Sequence, residues 1–174
     1  MNRIFRATCM LALFIGQAGA AWSDEPAAAS SIDSGRAQFG KLKSLVGEWA
    51  APMSHDEVMT DIFRPIGAGT AILHEEWKNG EQLTATVFYL VGSQLRADHY
   101  CDFGNQLHYV ATPSTDINVV AFTLRDATNL EAHPRHFHST TWHFIDATHL
   151  TQDWEIMNPG APSKVVRLEF TRAK

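Results

Sequence analysis

Hydrophobic and polar positions alternate along most of the chain downstream of Trp49. The runs Val58–Arg64, Thr70–Trp77, Leu83–Val91, Leu95–Cys101, Asn105–Thr112, Ile117–Leu124, Phe137–Ile145, Leu150–Met157 and Lys164–Thr171 are short and rich in β-branched and aromatic residues. Turn chemistry separates them, as in Pro65-Ile66-Gly67-Ala68-Gly69, Lys78-Asn79-Gly80, Gly92-Ser93 and Asn158-Pro159-Gly160. Period-two runs at this spacing predict an all-β, antiparallel, up-and-down arrangement. Ahead of Trp49 the period changes. Phe39, Leu42, Leu45 and Val46 fall on one helical face, so one short helix is predicted over Gly35–Leu45, with Asp33 or Ser34 as cap and Gly47 as stop.

The stretch HYCDFGNQ, residues 99–106, shows how the alternation assigns an interior. A three-residue loop Asp102-Phe103-Gly104, with Gly104 left-handed, sets Cys101 against Asn105, His99 against Leu107 and Ala97 against Tyr109. Leu95 shares that mostly apolar face, which predicts an inward direction for His99, Cys101, Asn105, Leu107 and Tyr109. Asp98 and His108 then pair on the outer face. A second hairpin with the loop Asp146–His149 sets Ile145 against Leu150 and His143 against Gln152. That register sends Trp154 and Ile156 inward together with His143 and Gln152, and leaves Trp142 and Phe144 outside. It is sensitive to a one-residue slip.

Composition narrows the class. Arg3 and Arg6 precede the apolar run Met10–Ile15 and the small residues Ala18-Gly19-Ala20. This order reads as a secretory signal peptide over 1–20, cleaved near Ala20, and predicts a periplasmic or secreted protein. Residues 21–33 read as a disordered leader and 34–174 as one barrel domain. No transmembrane segment is expected in the mature chain. Of the two cysteines, Cys9 leaves with the signal, so Cys101 has no internal partner and the fold must rest on its core. The net charge of −5 excludes a nucleic-acid binder that works through a basic surface.

Sharper chemistries find little support in spacing. His99 is the candidate acid or base, although a buried imidazole is more often a structural hydrogen-bonding group. His136 and His138 lie two apart on one strand face, the weak candidates for a metal; no third ligand has motif spacing with them, and no metal is expected. Of Glu75 and Glu76, one must face inward. There is no G-x-S-x-G and no phosphate loop.

Gly47-Glu48-Trp49 after a helix, followed by a series of strands, resembles the calycin superfamily, in which lipocalins carry a G-x-W here. LVGEW, GAGTAILHE, TATVFY, HYCDFGNQ and HLTQDW resemble a group of secreted bacterial lipocalin-like proteins. The resemblance spans most of the mature chain and is most specific at H-Y-C-x-x-G-N-Q. It implies a lipocalin-like barrel of eight to ten strands with one N-terminal helix, and no particular activity. The haem-binding nitrobindins share that layout. Their G-x-W-x-G-x-G is half present, with Ala51 and Met53 where glycines belong, so no cofactor is expected, haem included.

Such a barrel encloses space for one small ligand. The leading expectation is a binder of a small, mostly apolar molecule, lined by Phe88, Leu95, His99, Leu107, Tyr109, Trp154 and Ile156. His99 and His143 would orient its polar end, with Cys101, Asn105 and Gln152 beside them. A barrel enzyme (cyclase, isomerase or hydrolase) using His99 is the alternative. A third is a structural or interaction module, such as a homodimer joined through an apolar patch at Trp142 and Phe144.

Overall fold

The computed structural model describes residues 27–54 and 56–173, with side chains from 34 onward. The expected signal peptide lies outside the described residues. A helix α1 (Ala27–Lys43) leads into β1 (Gly47–Pro52), β2 (Val58–Ile66), β3 (Ala71–Lys78), β4 (Glu81–Val91) and β5 (Gln94–Tyr100). β6 (Gln106–Thr112), β7 (Val119–Thr128), β8 (His136–Phe144), β9 (His149–Met157) and β10 (Lys164–Arg172) complete the set. Each strand pairs antiparallel with its sequence neighbours, and β1 pairs with β10, so the sheet closes into a ten-stranded barrel. Closure leaves no sheet edge unpaired. Among the described residues no helix is long and apolar enough to cross a membrane.

The helix begins at Ala27, ahead of the expected Gly35 and inside the stretch read as a leader. Alanine carries the highest intrinsic helix propensity, and Ala27-Ala28-Ala29 extends the helix backwards at little cost. Phe39, Leu42 and Leu45 are buried as the period predicts, whereas Val46 is exposed. The helix lies across one end of the barrel. Gln38 Nε2 donates to the Thr112 carbonyl at 2.9 Å, and Lys41 Nζ to Asn118 Oδ1 at 2.8 Å. Gly35 touches the β4–β5 turn so closely that a Cβ there would sit 2.0 Å from the Ser93 carbonyl oxygen.

Trp49 and Arg172 seal the same end. The indole is buried and donates Nε1–H to the Leu45 carbonyl at 2.7 Å. The Arg172 guanidinium lies 4.2 Å above its ring and donates to the carbonyls of Ser44 at 2.7 Å and Val46 at 2.9 Å. One cation thus satisfies carbonyls just beyond the helix and holds the last strand onto the first.

The register of β5 and β6 is the expected one: His99 opposes Leu107, Ala97 opposes Tyr109, and Gly104 is left-handed with φ 91°. The β8–β9 hairpin differs by one residue. Trp142 opposes Gln152 and Phe144 opposes Leu150, because Ile145 belongs to the turn, where its N–H donates to the His149 carbonyl at 3.1 Å. That single step reverses the β8 side chains from Ser139 to Phe144, whereas the bulge between Phe137 and Ser139 keeps Phe137 inward. Trp142 and Phe144 are buried inside the barrel, so the apolar outer patch expected at these two residues does not exist. His143 faces outward, half-exposed, 3.5 Å from Asp153.

Gly35→Ala is expected to cost about 1–3 kcal/mol, because helix or turn must shift to admit the methyl group. A urea midpoint unchanged from wild type would contradict the close approach of helix and turn.

Candidate functional site

Alternation across adjacent strands builds a polar belt inside the apolar barrel. Asp61 on β2 opposes Glu76 on β3, which opposes Thr84 on β4. One pair further along, His74 opposes Thr86, and Thr86 opposes His99 on β5. All six side chains are buried. Buried polar groups are costly unless paired, and several pairs are made. Thr86 Oγ1 and His99 Nδ1 are 2.8 Å apart, and the Thr84 hydroxyl donates to Glu76. From across the lumen, Gln152 Nε2 donates to Asp61 Oδ2 at 2.7 Å, and Trp154 Nε1 donates to Gln152 Oε1 at 2.8 Å.

The pairing is incomplete. His74 Nε2 lies 2.9 Å from Asp61 Oδ2, an ion-pair contact between two fully buried side chains. His74 Nδ1, Asp61 Oδ1 and His99 Nε2 are buried with no hydrogen-bond partner among the described residues. His74 is also held in place by aromatic packing, stacked on Phe63 with centroids 4.4 Å apart and edge-on to Trp142 at 5.3 Å.

Electrostatics follow from burial. Desolvation and the Asp61 carboxylate push the Glu76 acid up to about 7, against the opposing pull of His74 and the Thr84 hydrogen bond. For His74, burial opposes the charged ring, but Asp61 beside it, aided by Glu76, outweighs burial and raises its pKa. His99 has no carboxylate partner. Burial, reinforced by His74, lowers it to about 3, so it stays neutral at ordinary pH and is poorly suited to proton exchange near neutrality.

Above Glu76, at the end of the barrel opposite the helix, a cavity of about 120 Å³ opens between Met53, Met59, Leu83, Phe137, Trp154, Ile156, Val166 and Leu168. Its polar contributors are Glu76, Thr84 and Asp102. Two irregularities flank it: the β3–β4 ladder shifts register between Glu76 and Trp77, and the β8–β9 ladder between Phe137 and Ser139. Bulges of this kind re-aim side chains near a site.

Of the residues expected to line a lumen, Trp154 and Ile156 wall this cavity. Phe88, Leu95, Leu107 and Tyr109 are packed core away from it, with the Tyr109 hydroxyl donating to the Phe137 carbonyl at 2.7 Å. His99 sits behind the wall, 5.6 Å from Trp154 and 5.9 Å from Phe137 between ring centroids. Gln152 belongs to the belt. Asn105 is a clamp whose Nδ2 donates to the carbonyls of His133 at 2.8 Å and Arg135 at 2.7 Å, tying the β7–β8 loop to the β5–β6 turn. Cys101 is half-buried, and burial pushes its thiol up to about 12, so no thiolate forms near neutrality. HYCDFGNQ is therefore first of all a turn. On the surface, Asp98 and His108 pair at 2.7 Å as expected. His136 and His138 lie 5.8 Å apart between centroids, and among the described residues no third metal-binding side chain joins them.

Asp61 and His74 carried no motif. A signal was nonetheless present: in Ile72-Leu73-His74-Glu75-Glu76 the period of two sends His74 and Glu76 to the side of Ile72.

Comparison of the sequence with protein-family models and with curated proteins returned no match. Among solved structures, that of Rv2717c from M. tuberculosis is similar, with a TM-score of 0.58 over 79% of this chain and 98% of that one, at 14% identity. The likeness carries the fold alone. A closed antiparallel barrel of this type is compatible with holding a small molecule.

His99 supplies a test of the buried belt. Below its unfolded value of about 6.5 the unfolded chain takes up a proton that the folded site refuses, so stability should fall between pH 6.5 and 3. The loss attributable to His99 between pH 7 and 4.5 is on the order of 2–3 kcal/mol. Urea titrations of wild type and His99→Gln should diverge by that amount; parallel acid limbs would refute it.

Proposed function

We propose that the protein binds a small, mostly apolar molecule in the open end of its barrel, and that it acts in the periplasm or outside the cell after loss of its signal peptide. The carrying observation is the cavity itself, apolar on nearly every side, with Glu76, Thr84 and Asp102 as its polar contacts. Sites of this composition bind by excluding water from apolar surface and orient their ligand through a few polar groups.

Size limits the ligand. An apolar protein cavity of roughly 150 Å³ accommodates benzene, whereas drug-sized ligands need about 300 Å³ or more. At about 120 Å³ the enclosed space suits a single ring or a short branched chain. Its polar end would meet Glu76 and Thr84 rather than His99 or His143, since the first is shielded by Trp154 and Phe137 and the second faces solvent. Binding is favoured over turnover through His99, whose imidazole stays uncharged near neutrality and does not line the cavity.

A thermal-shift panel of single-ring amphiphiles, such as phenol, a cresol and benzylamine, tests the reading. Saturation at about 100 times Kd corresponds to roughly 2.7 kcal/mol of stabilisation, which shifts Tm by several degrees. Leu83→Trp, at a half-buried wall position, should fill the space and weaken a hit at least tenfold while the fold is kept. No hit in the class, or a hit indifferent to Leu83→Trp, would count against it.

A further inference from the structure

Beneath the cavity floor, the geometry points to a metal site: Asp61, His74 and Glu76 together form a three-ligand centre for a divalent first-row ion such as Zn²⁺ or Mn²⁺. One donor atom from each of the three lies within 4.8 Å of the other two. Two donors held about 2.1 Å from a shared ion are at most about 4.2 Å apart. Asp61 and His74, at 2.9 Å, already meet that limit, and Glu76, at the cavity's edge, closes the set by a small rotation of its carboxylate.

Two observations support an ion over a simple buried ion pair. The first is the unpaired remainder. Asp61 Oδ1 and His74 Nδ1 lack hydrogen-bond partners among the described residues, although both side chains are 0% exposed. Orphaned atoms of this kind are rare and require an explanation. The second is the company they keep. Glu76 brings a second carboxylate to the same dry site, and among the described residues Gln152 and Thr84 are the neutral side chains that hydrogen-bond to the two carboxylates.

The surroundings suit the role. Gln152 fixes Asp61 and is itself fixed by Trp154, the kind of outer hydrogen bonding that orients metal ligands. Phe63 and Trp142 hold the His74 ring in one plane. One nitrogen and two carboxylates form a hard-to-intermediate donor set, suited to Zn²⁺, Mn²⁺ or Fe²⁺ and unsuited to Cu⁺. With three protein ligands the ion keeps a coordination position free, and Glu76, which also lines the cavity, turns that position toward it. The site stands on Asp61 and His74 and does not depend on the small-molecule reading, though an ion there would meet the polar end of whatever enters.

The test uses the untagged full chain, purified without chelator and analysed for metal by inductively coupled plasma mass spectrometry. The chelator-stripped protein is then titrated with Co²⁺, with d–d absorption as the readout. The expected result is about one equivalent of metal per chain and saturable Co²⁺ bands, with affinity reduced at least 100-fold in both His74→Gln and Asp61→Asn. Circular dichroism confirms that these variants fold; Glu76→Gln, nearest the surface, serves if they do not, with at least a tenfold loss expected. His136→Ala/His138→Ala should leave binding intact. Metal below a tenth of an equivalent together with no Co²⁺ bands at 100 µM would overturn the proposal, as would loss of binding in the His136/His138 variant. A failure there leaves the thermal-shift result for organic ligands unaffected, so the two readings fall separately.

Discussion

Closure of the ladder is the constraint on which the rest of this structure depends. Once β1 meets β10, every second side chain on ten strands is committed to one enclosed volume, and water is excluded from most of it. The direct pairing of these strands is short, Trp49 with Arg172 and Ala50 with Thr171. Arg172 reinforces it by lying on the Trp49 ring while binding carbonyls beyond the helix. An apolar side chain loses nothing by this confinement. A polar one must find a partner inside or leave a penalty unpaid.

The two ends of the barrel meet this constraint differently. At the helix end, Phe39, Leu42, Leu45, Trp49 and Phe144 join the packed hydrophobic core. At the far end no helix among the described residues covers the mouth; Met53, Met59, Leu83 and Val166 leave a gap, and the carboxylate of Glu76 reaches its floor. Between the two lies the belt of Asp61, His74, Glu76, Thr84, Thr86, His99 and Gln152. Its members share a dry environment but not a chemistry. His99 has only a neutral hydroxyl beside it and stays uncharged, whereas His74 faces two carboxylates and is drawn toward charge. The difference is a matter of neighbours, since both imidazoles are fully buried.

Much of this organisation was legible in the sequence. Alternation located the strands, the change of period at Phe39–Leu45 located the helix, and Asp102-Phe103-Gly104 set the β5–β6 register because a three-residue loop with a left-handed glycine allows few alternatives. The β8–β9 hairpin was not legible to the same degree. Thr140, Thr141, Trp142, His143 and Phe144 present no clean alternation, and only the hydrogen bond from Ile145 to His149 decides which of them turn inward. His143 was misplaced on that account and faces outward toward Asp153.

What the sequence determined alone was therefore local: which segments are strands, where they turn, and which faces are apolar, because periods of two and 3.6 are properties of a single chain segment. Tertiary structure decided what the inward polar groups do. Asp61 meets Gln152 across 91 positions of sequence, and His74 meets Asp61 only through the pairing of β2 with β3. No spacing rule encodes those contacts, because the distance between strands across a barrel is set by closure rather than by the number of residues that separate them.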